Sequence, residues 1–348
     1  MRNICVAAAM VLLAVFFLSA ACLHHKITSK KNAHPKHLYP VRVFESARSP
    51  YFLPQYLAVN LGFFEEEGLS VSIYTTSQGA IRSALAGGRA DIVLCGLQNI
   101  LPRSKAVEPH AQVFAALGTR DGSFLLKRAG DGWNGWQELW HGSVIGSSHD
   151  VSSQIALEAA LRRHGLRPYR DVAVYYNIPE SLRLSAFCAG TGSAIQLLEP
   201  QASLAEQNGA GRVVASVGEA TGEMLVTAYA ASPVYIENNP QIIQSFTNAI
   251  MKAQLWLAGH SDEEAAAVTA PFFPSLDKET LLKCITRYRS LGIWKQDPTV
   301  PQGPFDNFVR AAKAAGEIAA EVPYEKMVAG DFAQKAALAV TLSAKESR

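Results

Sequence analysis

The sequence predicts an α/β protein of two lobes, each a mostly parallel sheet with helices on both faces, and a helical C-terminal part packed on the first lobe. Three observations carry that reading. From Val41 onward, strand-like runs alternate with helix-like segments, the rhythm of parallel strands joined by crossover helices. The same rhythm restarts with different residues near residue 127, so there are two α/β blocks. Beyond Pro233 the runs are mostly helical, and helices without strands of their own must pack on an existing block. At 348 residues and 49% hydrophobic content, the chain can bury a large core and exceeds the span of one ordinary domain.

The segment before the first strand reads as an address. "MRNICVAAAMVLLAVFFLSAAC" carries one basic residue, an apolar run from Ile4 to Leu18, and then Ser19-Ala20-Ala21-Cys22. The run is short for a bilayer-spanning helix, which needs ~20 residues, and suits a signal peptide over residues 1–21. Small residues before a cysteine resemble a bacterial lipobox, with Ser19 where leucine is usual. Cleavage before Cys22 and acylation there, palmitate included, would anchor a lipoprotein stably to the cell membrane through two chains. Ordinary signal peptidase cutting the same bond would instead release the protein outside the cytoplasm. Residues 22–39, rich in Lys and His and without periodicity, read as a disordered tether. A metal tract of His24, His25, His34 and His37 is the other reading of that stretch.

The first block covers 40–126. Its strand-like runs are "VRVFES", "VSIYTT", "DIVLCG" and "AQVFAAL", with helices expected over Phe52–Glu66, Gln78–Arg89 and Gln98–Val107. The second block, 127–228, opens on "SVIGS" and a helix in which Ile155 and Ala159, then Leu157 and Leu161, recur at i+4. It continues through "VAVYYNI", "PESLRLSAFCAG", "AIQLLE" and "QASLAEQNG" to "RVVASVG". "SFLLKR" and "VTAYAAS" bracket this block and read as crossover strands, so lobe 2 is inserted and residues 229–348 complete lobe 1. The closing helices are expected over Phe305–Ala320 and Tyr324–Ala339, among others. Parallel sheets present their ligand turns at the carboxyl ends of strands, so both lobes aim such turns into one cleft.

Composition narrows the function. A net charge of +2, with no basic patch interleaved with aromatics, gives no footprint for nucleic acid. Cys95, Cys188 and Cys284 are widely spaced and fit neither a disulfide framework nor a zinc site, so each reads as a small buried hydrophobe. No H-E-x-x-H, G-x-S-x-G or phosphate-loop motif occurs, and no cofactor or metal is expected.

"SPYFLPQYLAVNLGFFEEEGLSV", "GGRADIVLCG", "TGSAIQLLEPQASLAEQNGAGRVVAS" and "VYIENNPQIIQSFTNAIMKAQLWL", in that order, resemble the solute-binding components of ABC importers of the nitrate, sulfonate, taurine and thiamine-precursor group. The resemblance runs from about Val41 to Ala339. It implies a type II periplasmic-binding fold and a monomeric, non-enzymatic receptor that closes on a small molecule and presents it to an ABC permease. An enzyme of menaquinone- or thiamine-precursor type on the same fold, and a sensory binding protein without a permease, are the alternatives.

In that group the turn after the first strand lines the cleft, which points to Ser49, Tyr51 and Phe52. Ser49 can cap the helix, and either aromatic can stack on a planar solute, with inward packing of Phe52 as the other reading. The turns after the next two strands add Ser77 and Gln78, then Gly96, Gln98 and Asn99; Gly96 permits close backbone approach. In the second lobe "GSSHDVSS" offers Ser147, Ser148, His149 and Asp150. A helix N-terminus there favours an anion, while Asp150 opposes one unless it caps the helix. Glu199, ending the strand "AIQLLE", is expected to accept hydrogen bonds from an amine or aminopyrimidine, with Arg48 or Arg120 able to neutralise it. This carboxylate tips the expectation towards a planar nitrogen-containing solute over sulfonate, taurine or nitrate.

Overall fold

A computed structural model describes residues 37–102, 110–319 and 322–346. The expected signal peptide, Cys22 and all but the last residues of the tether lie outside the described residues. Among the described residues no helix is long and apolar enough to cross a membrane.

Two five-stranded sheets form the frame. The first contains β1 (Tyr39–Glu45), β2 (Leu69–Thr75), β3 (Ile92–Gly96) and β4 (Gln112–Ala115). The second contains β5 (Phe124–Lys127), β6 (Ser143–Ile145), β7 (Ala173–Tyr175), β8 (Ala194–Leu197) and β9 (Arg212–Ser216). The last strand, β10 (Thr227–Ala231), returns to the first sheet. The orders are β2-β1-β3-β10-β4 and β7-β6-β8-β5-β9. Each sheet is parallel but for one strand: β10 runs antiparallel between β3 and β4, and β5 antiparallel between β8 and β9. The two runs expected as crossovers are therefore the antiparallel strands themselves, and the true crossings lie just before each.

Those crossings touch. The Met224 N–H donates to the Thr119 carbonyl at 2.7 Å and the Val217 N–H to that of Ser123 at 2.9 Å. A Cβ on Gly218 would stand 2.2 Å from the Asp121 carbonyl oxygen, so only glycine lets the two backbones approach this closely.

Helices differ from expectation where glycine or proline intervenes. The expected Phe52–Glu66 helix is a 3₁₀ turn at Pro50–Phe52, a helix over Leu53–Asn60, and a short helix over Phe63–Glu66 after Gly62 at φ 75°. Gln98 stands in a 3₁₀ turn, Leu97–Asn99, and the expected helix beyond residue 102 lies outside the described residues. The last expected helix is split into Tyr324–Met327 and Asp331–Glu346.

The Pro240–Gly259 helix covers the first sheet and carries its aromatic core. Phe246 meets Tyr229 edge-on at 5.1 Å and Phe64 at 4.9 Å, while Phe114 stacks on Tyr229 at 6.2 Å. Such ring pairs add about 0.5–1.5 kcal/mol each beyond buried area. Part of the C-terminal region also reaches the second lobe: Lys278–Ser290 bonds to it through Arg287 and Thr280, and Gln302–Ala314 packs on Val151–Arg163. Cys95 and Cys284 are buried as expected, but Cys188 is exposed.

Candidate functional site

The carboxyl ends of the parallel strands in both sheets face one cleft of about 190 Å³. Its first-lobe wall is the turn after β1, Ser46 to Ser49, with Gln78 from the start of the Gln78–Ala86 helix. The second-lobe wall is Ser147, His149 and Asp150 after β6, the turn after β8, and the Glu180–Cys188 helix. Deeper in, a chamber of about 40 Å³ shares Ser49, Gln78 and Asp150 and adds Tyr51, Phe52, Asp121 and Val226.

Local structure fixes these groups. Ser49 has extended backbone and accepts the Tyr51 N–H at 3.2 Å, capping the 3₁₀ turn that Pro50 opens. Tyr51 and Phe52 are both buried, and the Tyr51 hydroxyl donates to the Arg120 carbonyl at 2.6 Å. The two readings of Phe52 thus merge, since it packs inward and still borders the inner chamber. Asp150 caps the Val151–Arg163 helix, accepting from the Ser152 N–H at 3.0 Å and the Ser153 hydroxyl at 2.9 Å. Asn99 donates to Gln78 at 2.6 Å and so orients a lining side chain without lining the cleft itself.

Four other candidates stand off the cleft surface. Ser77 is exposed at the helix start. Gly96 lies beneath Gln98 and Ser152, where a Cβ would come within 2.5 Å of both side chains. Gln98 accepts the Ser152 hydroxyl, a hydrogen bond between the lobes. Ser148 donates to Glu180 at 3.1 Å.

Glu199 holds a different role from the one its sequence position implied. Its backbone borders the cleft, but its side chain has no exposed surface. Arg287 meets the carboxylate at 2.7 Å, and Ser203 donates to it from both backbone and hydroxyl at 3.0 Å. Its neutralising partner is thus Arg287, not Arg48 or Arg120. Arg48 lines the cleft but is tied to buried Glu45 at 2.7 Å.

The structure adds residues that the sequence reading did not select. Buried Gln196 is the floor's junction: its Oε1 accepts the Ser147 N–H at 3.2 Å, and its Nε2 donates to the Ser123 hydroxyl at 2.8 Å and the Ser153 carbonyl at 2.9 Å. Arg183 is buried beside it, paired with Glu180 at 2.7 Å and donating to the Gln196 carbonyl, with its Nε unpartnered among the described residues. Burial lowers the pKa of this guanidinium. Asp121, 1% exposed, accepts the Ser123 N–H through Oδ1 at 2.8 Å, while its Oδ2 is unpartnered among the described residues. Burial pushes the Asp121 carboxyl up to about 7 and also raises that of Asp150. Only turn signals such as "RSPYF" could have marked this region in the sequence; Arg183 reads there as an ordinary helical arginine and Asp121 as a turn residue.

Such a surface, built of hydroxyls, amides and partly unsatisfied charged groups supplied by both lobes, suits a small polar molecule held by hydrogen bonds. Comparison with known proteins supplies the context. A profile described as the NMT1-like family matches residues 52–272. YtlA of Bacillus subtilis (strain 168), which carries a binding-protein name, is 31% identical over 324 residues, 92% of this chain and 94% of that one. A 4-amino-5-hydroxymethyl-2-methylpyrimidine phosphate synthase of Candida albicans (strain WO-1) is 25% identical over 251 residues, 69% of this chain and 73% of the relative. The periplasmic aliphatic sulphonate binding protein SsuA from Escherichia coli superposes with a TM-score of 0.67 at 18% identity, over 83% of this chain and 97% of that one.

Proposed function

The chain belongs to the NMT1-like family, and from that premise we propose that it is the extracytoplasmic solute-binding lipoprotein of an ABC importer. It captures a small organic solute between its lobes and delivers it, unaltered, to a membrane permease. The observation that carries this reading is the shared cleft: Ser49 and Gln78 from one lobe and Ser147, His149 and Asp150 from the other line the same cavity. A molecule touching both walls favours approach of the lobes only through contacts absent when they part. Micromolar capture requires about −8 kcal/mol in all, within reach of several desolvated hydrogen bonds and contact with Tyr51. The binding-protein name of YtlA and the sulphonate binding of SsuA support the same reading. With Glu199 engaged by Arg287, the preference for a nitrogen-containing solute needs another residue to carry it.

One observation favours an enzyme on the same fold, the similarity to the Candida synthase. The two readings part on the fate of the bound molecule. Protein purified without added ligand is denatured, and the released solute identified by mass spectrometry. It is then returned to fresh protein for equilibrium dialysis and prolonged incubation. Saturable binding with quantitative recovery of unchanged solute is expected; conversion to product would overturn the receptor reading in favour of the enzyme.

A further inference from the structure

The two chambers of the cleft differ in charge. The outer one holds acids and bases together: Arg48, Arg183 and His149 with Glu180 and Asp150. The inner one holds Asp121 and Asp150 and is lined by no Arg, Lys or His among the described residues. Its remaining wall is uncharged: apolar or aromatic at Tyr51, Phe52 and Val226, hydroxylic at Ser153 and Thr227, and an amide at Gln78.

One atom there differs from its neighbours in its hydrogen bonding. Asp150 spends its oxygens on the helix N-terminus and the Ser153 hydroxyl. Asp121 spends Oδ1 on Ser123, both backbone and hydroxyl. Asp121 Oδ2 remains buried without a hydrogen-bond partner among the described residues, and Asp121 helps to line the chamber. A buried acceptor left unsatisfied costs about 1–3 kcal/mol, more when charged, so its retention calls for a partner that arrives from outside. Where Asp121 is ionised, two carboxyls with no facing cation repel a free anion and attract a group that is cationic or rich in N–H donors. At about 40 Å³ the chamber takes one such group, not a whole solute.

We infer that the inner chamber is a subsite for an amine or amidine group of the solute, received by Asp121 Oδ2 with Asp150 beside it, and that Asp121 determines specificity for amine-bearing over amine-free solutes. This rests on the receptor reading and gives the chain's preference for nitrogen-containing solutes a residue other than Glu199. The solute's remaining polar groups then face the outer chamber, where the Arg183 Nε is a donor without a partner among the described residues.

The test uses the mature protein stripped of solute and calorimetry with matched pairs: taurine against ethanesulfonate, and 4-amino-5-hydroxymethyl-2-methylpyrimidine against its 4-hydroxy counterpart. Native mass spectrometry of unstripped protein runs alongside and covers the case in which neither pair holds its solute. The amine-bearing member should bind at least 10-fold tighter, or the retained molecule should carry a basic N–H group. Asp121→Asn should weaken that binding about 10- to 100-fold, the range for a hydrogen bond to a charged group, and should narrow the ratio within each pair. Asp121→Ser, which cannot place a carboxylate there, should do the same if the Asn variant folds poorly. Equal binding of amine-free members, or a retained solute without an N–H donor, overturns the subsite and leaves the receptor standing. A protein that retains nothing and binds no member of either pair, or that converts its solute, overturns the receptor reading and the subsite with it.

Discussion

Raising the pH from 5 to 8 should destabilise the solute-free protein through Asp121, and Asp121→Asn should remove that dependence. Burial lifts this carboxyl from 3.8 in the unfolded chain to about 7 in the folded one. Between those values the folded chain keeps a proton that the unfolded chain has released. The resulting stability is fully present below 3.8 and is lost as pH rises through about 7. Integrating over the two values, the loss between pH 5 and pH 8 is about 2–3 kcal/mol. The groups facing Asp121 set the balance: burial raises the carboxyl most, Asp150 adds to the upward shift, and the hydrogen bonds from Ser123 oppose it. Asparagine keeps the Oδ1 acceptor for Ser123 but cannot ionise. Urea denaturation at pH 5, 6, 7 and 8, on stripped wild-type and variant protein, should give a difference in stability that grows in the variant's favour with pH. Parallel pH profiles for the two proteins would refute the reasoning, because they would show an Asp121 carboxyl with the same affinity for protons in both states.

Three further perturbations are informative. Arg287→Met leaves the buried Glu199 carboxylate uncompensated and should cost about 3–5 kcal/mol of stability by chemical denaturation, with Glu199→Gln in the same chain recovering most of the loss; a loss under 1 kcal/mol would show the pair to be dispensable. Gly218→Ala drives a methyl into the Asp121 carbonyl and should cost roughly 1–3 kcal/mol while weakening solute binding, read by melting temperature and calorimetry together. Cys22→Ser should move the protein from the membrane fraction to the soluble extracytoplasmic fraction, and membrane retention after normal cleavage would refute a lipid anchor.

The frame of the molecule was legible because it rests on local periodicity. The alternation in "VRVFE" does place Val41 and Val43 inward, and Ile155, Leu157 and Leu161 are buried on their helix, though Ala159 is half-buried and the helix is covered on more than one face. Strand direction was less so: nothing in "SFLLKR" says that it will run antiparallel between β8 and β9, because that order is set by pairing between residues 69 to 92 positions apart. The site was half legible for a related reason. Ser49, Gln78, Ser147 and Asp150 sit in turns at strand ends, which a sequence reveals by its caps. What a carboxylate faces is not revealed in that way. Glu199 and Asp121 both look like acids at a strand boundary, yet one meets an arginine 88 residues further along the chain and the other meets no such partner. The distinction inverts their assignments. An acid matched by a half-buried arginine and by the N–H and hydroxyl of Ser203 holds the second lobe against the Lys278–Ser290 helix, whereas a buried oxygen left unmatched beside a cavity is the one we propose for a guest. Asp121 Oδ2 lacks among the described residues the polar partner that Glu199 finds in Arg287.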